Sequence, residues 1–166
     1  MSDLKMAQDD PEALLWRELG KVHAGMLGVE GSGQHLQPMA HHVDPEGRTL
    51  WFLTKRDTDL VQALHPDAKA HFAVIAKDQD FHACMSGPIG VRDDRAKLDE
   101  IWSPISAAWF DGGKDDPDLV MLALDLRSAG IWASTGSTLA FAWQIAKANA
   151  TGDTPDVGVH NVVEFA

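Results

Sequence analysis

The chain has 166 residues, enough for one domain burying roughly 70% of its unfolded surface, and its 45% hydrophobic and 23% charged content is that of a globular protein. A formal net charge of −11 argues against nucleic acid, whose binding needs Lys and Arg to displace counterions, and against an anionic membrane surface. No apolar run approaches the ~20 residues that cross a bilayer, and the amino-terminal stretch carries acids where a secretory signal needs basic and apolar regions. The single cysteine, Cys84, has no partner for an intrachain disulfide, so a reducing, cytoplasmic setting is expected, with small molecules or copies of the chain as partners.

Asp10-Pro11-Glu12 reads as a helix start, followed by Leu15, Leu19, Val22 and Met26 as one apolar stripe. Gly25 to Glu30 reads as a first strand, turned by Gly31-Ser32-Gly33. The stretch from Gln34 to Thr58 predicts a hairpin. Its first strand carries Gln37-Pro38-Met39, and its turn is Asp44-Pro45-Glu46-Gly47, with a preset φ at Pro45 and a permissive one at Gly47. The second strand, Leu50 to Thr54, is apolar on both faces. Asp57 or Thr58 then caps a helix over Leu60 to His65, ended by Pro66, whose start offers N–H groups to an anion such as phosphate.

Lys69 to Lys77 alternates as a strand, Asp78-Gln79-Asp80 turns, and Phe81 to Val91 is the clearest strand of all. Pro88 cannot donate a ladder bond, which predicts an edge or bulge there. Asp93 or Asp94 caps a helix carrying Leu98, Ile101 and Trp102, broken by Ser103-Pro104. A loop over Trp109 to Asp118 leads to a strand from Leu119 to Arg127, which Ala129 to Ser134 continues. Ser137 caps a last helix with Leu139, Ala142, Trp143 and Ala146 as its stripe, and a polar tail from Thr151 ends in the apolar run Val159 to Phe165. The whole reads as one domain, residues 1–166 with a core over about 11–150. Its class is α+β, mainly β: five or six strands at hairpin spacing with helices inserted suggest a small antiparallel barrel.

Isolated motifs carry little chemistry. The Gly31–Gly33 turn lacks the Lys-Ser/Thr ending of a phosphate loop, and the Asp111 to Asp118 loop lacks the twelfth-position Glu of a calcium loop. His35, His41 and His42, with Cys84 and His82, do not converge on a zinc pattern, so no metal is expected. Cys84 sits on a strand without a cation or helix start to activate it and reads as an inert thiol.

Taken in order, His35-x-x-Pro38-Met39, Trp51-Phe52-x-Thr54, a strand ending in Gly87, Asp94-Arg95, Ile101-Trp102, the run Ala108 to Leu119 (AWFDGGKDDPDL) and Trp132 resemble the pyridoxamine 5′-phosphate oxidase-like general stress proteins. The resemblance runs from about Leu14 to about Trp132. It implies a six-stranded antiparallel split β-barrel with flanking helices, forming a homodimer with FMN, or FAD, in a groove between subunits. It implies that Gln37, Pro38 and Met39 lie along the flavin ring and ribityl chain, and that Phe52, Leu53 and Thr54 flank the isoalloxazine. Thr58, Asp59 and Leu60 would occupy the phosphate segment, and His82 would reach the flavin across the groove. Trp109, Phe110 and Trp132 would come from the partner subunit.

Two positions depart from the family pattern: Gln37 stands where relatives carry Arg, and Leu60 where they carry Lys. Two lost charge-assisted hydrogen bonds would weaken FMN binding by roughly 3–6 kcal/mol, with Lys55, Arg56 and the helix start compensating in part. Restoring both, by Gln37→Arg with Leu60→Lys, is then expected to tighten binding about tenfold or more. The resemblance implies a flavin-dependent oxidoreductase. The alternative is a non-catalytic module: a flavin or haem sensor or store, or a scaffold that has lost its flavin. The arginine-histidine signature for a pyridoxamine phosphate substrate is absent from the carboxy-terminal sequence.

Overall fold

A computed structural model describes residues 4–134, 138–152 and 158–166. The polypeptide begins with a short helix, α1 (Leu4–Asp9), that the sequence reading did not anticipate. Helix α2 (Pro11–Leu19) starts as expected: the Asp10 carboxylate accepts from the Ala13 N–H at 3.0 Å, with Pro11 in the first turn. It buries Leu14, Leu15 and Leu19 but stops at Gly20, so Val22 and Met26 do not extend its stripe; Met26 belongs to the first strand.

That strand, β1 (Ala24–Val29), pairs with β2 (Gln37–Ala40) on one side and β5 (Lys69–Ile75) on the other. The turn between β1 and β2 uses Gly31 and Gly33 at φ 71° and 70°, the left-handed region open to glycine. The predicted first hairpin strand is two strands. The chain leaves β2, passes through His41, and pairs again as β3 (His42–Asp44) with β4 (Thr49–Lys55). The turn then places Arg48, not Gly47, at positive φ (51°). Gly47 instead brings its N–H to the Asp44 carboxylate at 3.1 Å, where a Cβ would meet that same carboxylate at 3.0 Å.

With β6 (Phe81–Val91) and β7 (Leu119–Asp125), strand order in the sheet is β2-β1-β5-β6-β7-β4-β3, so its two ends are consecutive pieces of chain joined at His41. This bends the sheet into a half-barrel. The central strand β6 (Phe81–Val91) makes the bend: Phe81 to Ser86 pair with β8 (Ser128–Ser134), and Ile89 to Val91 pair with β7 (Leu119–Asp125). Pro88 lies between those ladders. The Ile89 N–H bonds Ala68 on the β5 side, so by alternation the donor that Pro88 lacks would have faced the gap where β8 gives way to β7. The expected edge is therefore a corner.

The strand read as continuous from Leu119 to Ser134 is broken at that corner into β7 and β8. The Arg127 N–H bonds Ser86 at 2.8 Å and the Leu126 N–H bonds Arg48 at 2.9 Å, pinning the bend to both halves of the sheet. The run read as a polar tail ends in a ninth strand, β9 (Gly158–Glu164), paired along all of β8, with Val163 and Phe165 buried. The sheet has nine strands among the described residues, where five or six were expected. The last helix, α6 (Thr138–Thr151), exposes Ala142, Trp143 and Ala146 of its expected stripe; the Leu139 side chain and the expected cap, Ser137, lie outside the described residues.

Two apolar clusters organise the interior. The main one fills the half-barrel with Phe52, Phe72, Phe81, Leu122 and Leu124 under α2. A smaller one on the outer face of β4 and β7 joins Trp51, Met121 and Ala123 to Leu98 and Ile101 of α4 (Arg95–Ile101). This second cluster holds α4, and with it the following turn of helix α5 (Pro104–Ala107), beside the free end of β4.

Candidate functional site in the split of the barrel

Strand β4 pairs with β7 along its whole length, but β3 covers only Thr49 to Trp51. Along Phe52 to Lys55 the other edge of β4 has no strand partner among the described residues, and β2 is likewise paired only with β1. The Arg56 N–H bonds the Asp118 carbonyl on the β7 side at 2.9 Å. By alternation the backbone groups of Leu53 and Lys55 then project to the unpaired edge. The Lys55 carbonyl is taken by the Thr58 N–H and hydroxyl, at 3.2 and 2.9 Å. The Leu53 amide unit remains directed at the split.

Between these edges lies a cavity of about 500 Å³, within the roughly 300–1,000 Å³ of small-molecule sites. Pro38, Met39 and Ala40 form one wall and Leu53, Thr54 and Lys55 the other, with Thr58 at the end. Ile105, Ser106, Trp109 and Phe110 roof it from α5 and the turn after it, and His42 completes the lining. The roof follows from local sequence: the Ser103 hydroxyl caps α5 by accepting from the Ser106 N–H at 3.1 Å, and Pro104 occupies its first turn. Phe110 is buried against Trp102, ring centroids 6.2 Å apart, whereas Trp109 and Ile105 are exposed at the mouth.

The polar groups gather at one end. The Thr54 and Thr58 hydroxyls lie 3.4 Å apart, and Thr58 also accepts from the Val61 N–H as the cap of α3 (Asp59–Gln62). That helix is one turn long, shorter than the expected Leu60 to His65, and contributes little macrodipole. Lys55 is the basic residue among those lining the cavity, and its charge also acts on Asp116. Burial pushes the His42 imidazole below its ordinary value, so it lines the cavity as a neutral group at pH 7.

Of the residues expected at the site, Pro38, Met39, Leu53, Thr54, Lys55, Thr58, Trp109 and Phe110 line this one cavity. Trp109 and Phe110, expected from a partner subunit, reach it from the same chain. The others lie elsewhere. Phe52 is fully buried, its ring edge-on to Phe72 at 5.1 Å. Leu60 is 2% exposed and packs in the main core, so its side chain offers nothing to a phosphate. Asp59 accepts through its carbonyl from the Gln34 amide at 3.0 Å, and Gln37 pairs with Leu27. His82 and Trp132 border a second hollow of about 360 Å³, where Trp132 stacks on His160 at 4.8 Å.

Sequence reading missed Ala40, Ile105 and Ser106; His42, with His35 and His41, reads there only as a groove-lining or surface histidine. The Ser103-Pro104 pair, a cap followed by a first-turn proline, is the local signal for α5 as well as the break after α4.

The model of a family described as pyridoxamine 5′-phosphate oxidase-like matches residues 10–156. Among solved structures, a protein provisionally assigned as general stress protein 26 from Jannaschia sp. CCS1 is 36% identical, with 96% of this chain and 100% of that chain covered at a TM-score of 0.78. A general stress FMN/FAD binding protein from Xanthomonas citri is 34% identical, covering 76% of this chain and 89% of that one, TM-score 0.69. A general stress family protein, also provisionally assigned, from Xanthomonas campestris pv. campestris is 35% identical over 82% and 93%, TM-score 0.69. No curated protein matches the chain. A half-barrel split beside β4 and a family match spanning nearly the whole sequence lead to one conclusion: the chain belongs to the pyridoxamine 5′-phosphate oxidase-like family.

Proposed function

We propose that this protein binds a flavin, FMN or FAD, in the cavity at the split of the barrel. The observation that carries the reading is the pairing of an apolar slot with an unpaired strand edge. Pro38, Met39 and Trp109 offer faces to a flat ring, while the Leu53 amide unit and the Thr54 hydroxyl offer hydrogen bonds to a polar rim. That donor set suits a heteroaromatic ring with one apolar and one hydrogen-bonding edge, and Lys55 with Thr58 suits an anionic tail. A flavin, when bound, supplies hydride and one-electron chemistry, while the protein supplies position and exclusion of water. The titratable side chains lining the cavity are His42 and Lys55, so proton movement at the ligand falls to them or to solvent.

Because Leu60 is in the core and Gln37 is outside the cavity lining, neither departure removes a charge from this cavity, and the expected weakening of roughly 3–6 kcal/mol no longer follows. We place a second copy of the chain over the mouth of the cavity, where Ile105 and Trp109 are 77% and 69% exposed. The reading as an oxidoreductase and the reading as a binder or store share this geometry and part on reactivity.

Titration of FMN and FAD into the ligand-free protein, followed by tryptophan fluorescence, tests the site. Saturable quenching is expected, with most of the change lost in Trp109→Phe. A protein that shows no quenching and no absorbance near ~450 nm after incubation with either flavin refutes the proposal. Bleaching of that band by a nicotinamide donor selects the oxidoreductase; a loaded protein inert to donors selects the store.

A further inference from the structure

Away from the split, on the outer face of the sheet, side chains from two strands and from the residue that follows a third form a chain of contacts. Cys84 of β6 places its Sγ 3.7 Å from His71 Nδ1 of β5. His71 Nε2 lies 2.9 Å from the Glu30 carboxylate, just past the end of β1. Nucleophile, base and orienting carboxylate therefore stand in sequence, the arrangement by which a base activates a weak nucleophile. The register explains it. Ala73 lies opposite Cys84 and Ser86 opposite His71, so the thiol and the imidazole are diagonal neighbours on one face.

The carboxylate fixes the tautomer. Glu30 can only accept, so Nε2 carries the proton and Nδ1 presents its lone pair to the Cys84 S–H. Burial pushes the Cys84 thiol up, which keeps it protonated near neutral pH and dependent on a base for reactivity. Cross-strand neighbours are small on both sides, Ala73 and Gly130, and leave the sulfur approachable from above. The Trp132 ring leans over Gly130, so close that a Cβ there would lie 2.9 Å from it, and walls one side of the niche. His71 and Glu30 are about half exposed, at 50% and 45% for their side chains.

We propose that Cys84, His71 and Glu30 form a thiol modification site, at which Cys84 undergoes base-assisted exchange with a small-molecule disulfide. His71 Nδ1 takes the S–H proton as Cys84 Sγ attacks one sulfur of the disulfide. The S–S bond of the reagent breaks and a mixed disulfide forms on Cys84. The departing group leaves as the thiolate, and His71 passes its proton to that thiolate if basic enough, or otherwise to solvent, returning to its starting tautomer. Cys84 is oxidised, half of the reagent is reduced, and no further electron acceptor is needed. The site is independent of the flavin proposal.

The test uses 5,5′-dithiobis(2-nitrobenzoate) at pH 7 with the full chain, reading thiolate release and the mass of the protein. Wild type is expected to react once per chain and Cys84→Ser not at all. His71→Ala should slow the reaction about tenfold or more, with rate restored by added imidazole, which a merely structural role for His71 would not allow. Glu30→Gln should slow it several-fold. Equal rates in wild type and His71→Ala overturn the proposal. So does a Cys84 that reacts only after unfolding in guanidinium, as it would if a second copy covered this face; circular dichroism of each variant separates lost reactivity from lost fold.

Discussion

At position 60 a lysine would have to bury its ammonium where the leucine is now 2% exposed within the main core. The family comparison by sequence suggested that Leu60→Lys would restore a phosphate contact. The structure reverses that expectation. The substitution removes a buried apolar side chain and strands a charge, so unfolding in urea should show a loss of about 2–5 kcal/mol with no gain in FMN affinity. Retained stability together with tighter FMN binding would show that Leu60 faces the ligand after all. Lys55 is a different case: it lines the cavity, and its polar neighbours Thr54 and Thr58 were legible in the sequence because a capping threonine must follow the strand. Burial of Phe52 could not be read locally, since Leu50 to Thr54 is apolar on both pleat faces and alternation alone does not say which face meets the core.

Among the elements, β6 does the most to shape the protein, because it belongs to two ladders and turns between them at Gly87 and Pro88. A Cβ on Gly87 would lie 1.9 Å from the Asp125 carbonyl oxygen, against backbone that cannot move aside without shifting the corner. Gly87→Ala is therefore expected to cost about 3 kcal/mol, measured by denaturant unfolding, while a substitution at Gly90, whose Cβ meets nothing, should be far milder. The sequence showed the long strand and flagged Pro88 as an interruption, but not which strands it joined. Strand β9 was missed for a related reason: Gly158 to Glu164 becomes a strand by pairing with β8, and that partnership is not written in its own residues.

For the whole molecule, closure of the half-barrel rests on His41, which joins β2 to β3 and is 9% exposed. Its Nε2 lies 3.0 Å from the Leu19 carbonyl and its ring meets Phe72 at 5.1 Å. Burial pushes its imidazole below the ordinary range, only partly opposed by the bond to Leu19, and burial does the same to His42. A folded value below the unfolded one means stability is intact above about pH 6.5 and is lost as pH falls through the folded value. Asp125 adds a second, more acidic stage. Burial pushes its carboxyl up, but the Arg92 ion pair and the Thr49 hydroxyl outweigh this and hold it below the usual range. Urea midpoints should therefore fall between pH 7 and 5 and again below about pH 4, and His42→Gln should flatten the first step. A midpoint independent of pH from 7 to 5 would contradict the burial of both histidines as neutral groups.

The order of residues by itself determined the class of fold, the strands from β4 to β6, the capped starts of α2, α3 and α4, and the family, because alternation and caps are local and motif spacing survives along the chain. Only the tertiary structure decided that the chain from 37 to 44 crosses the barrel at His41, that Phe52 and Leu60 face inward, and that Ile105 and His42 join the site. Those outcomes depend on which face of each element meets the core. That choice is made by contacts between distant parts of the chain, and neighbouring residues do not encode it.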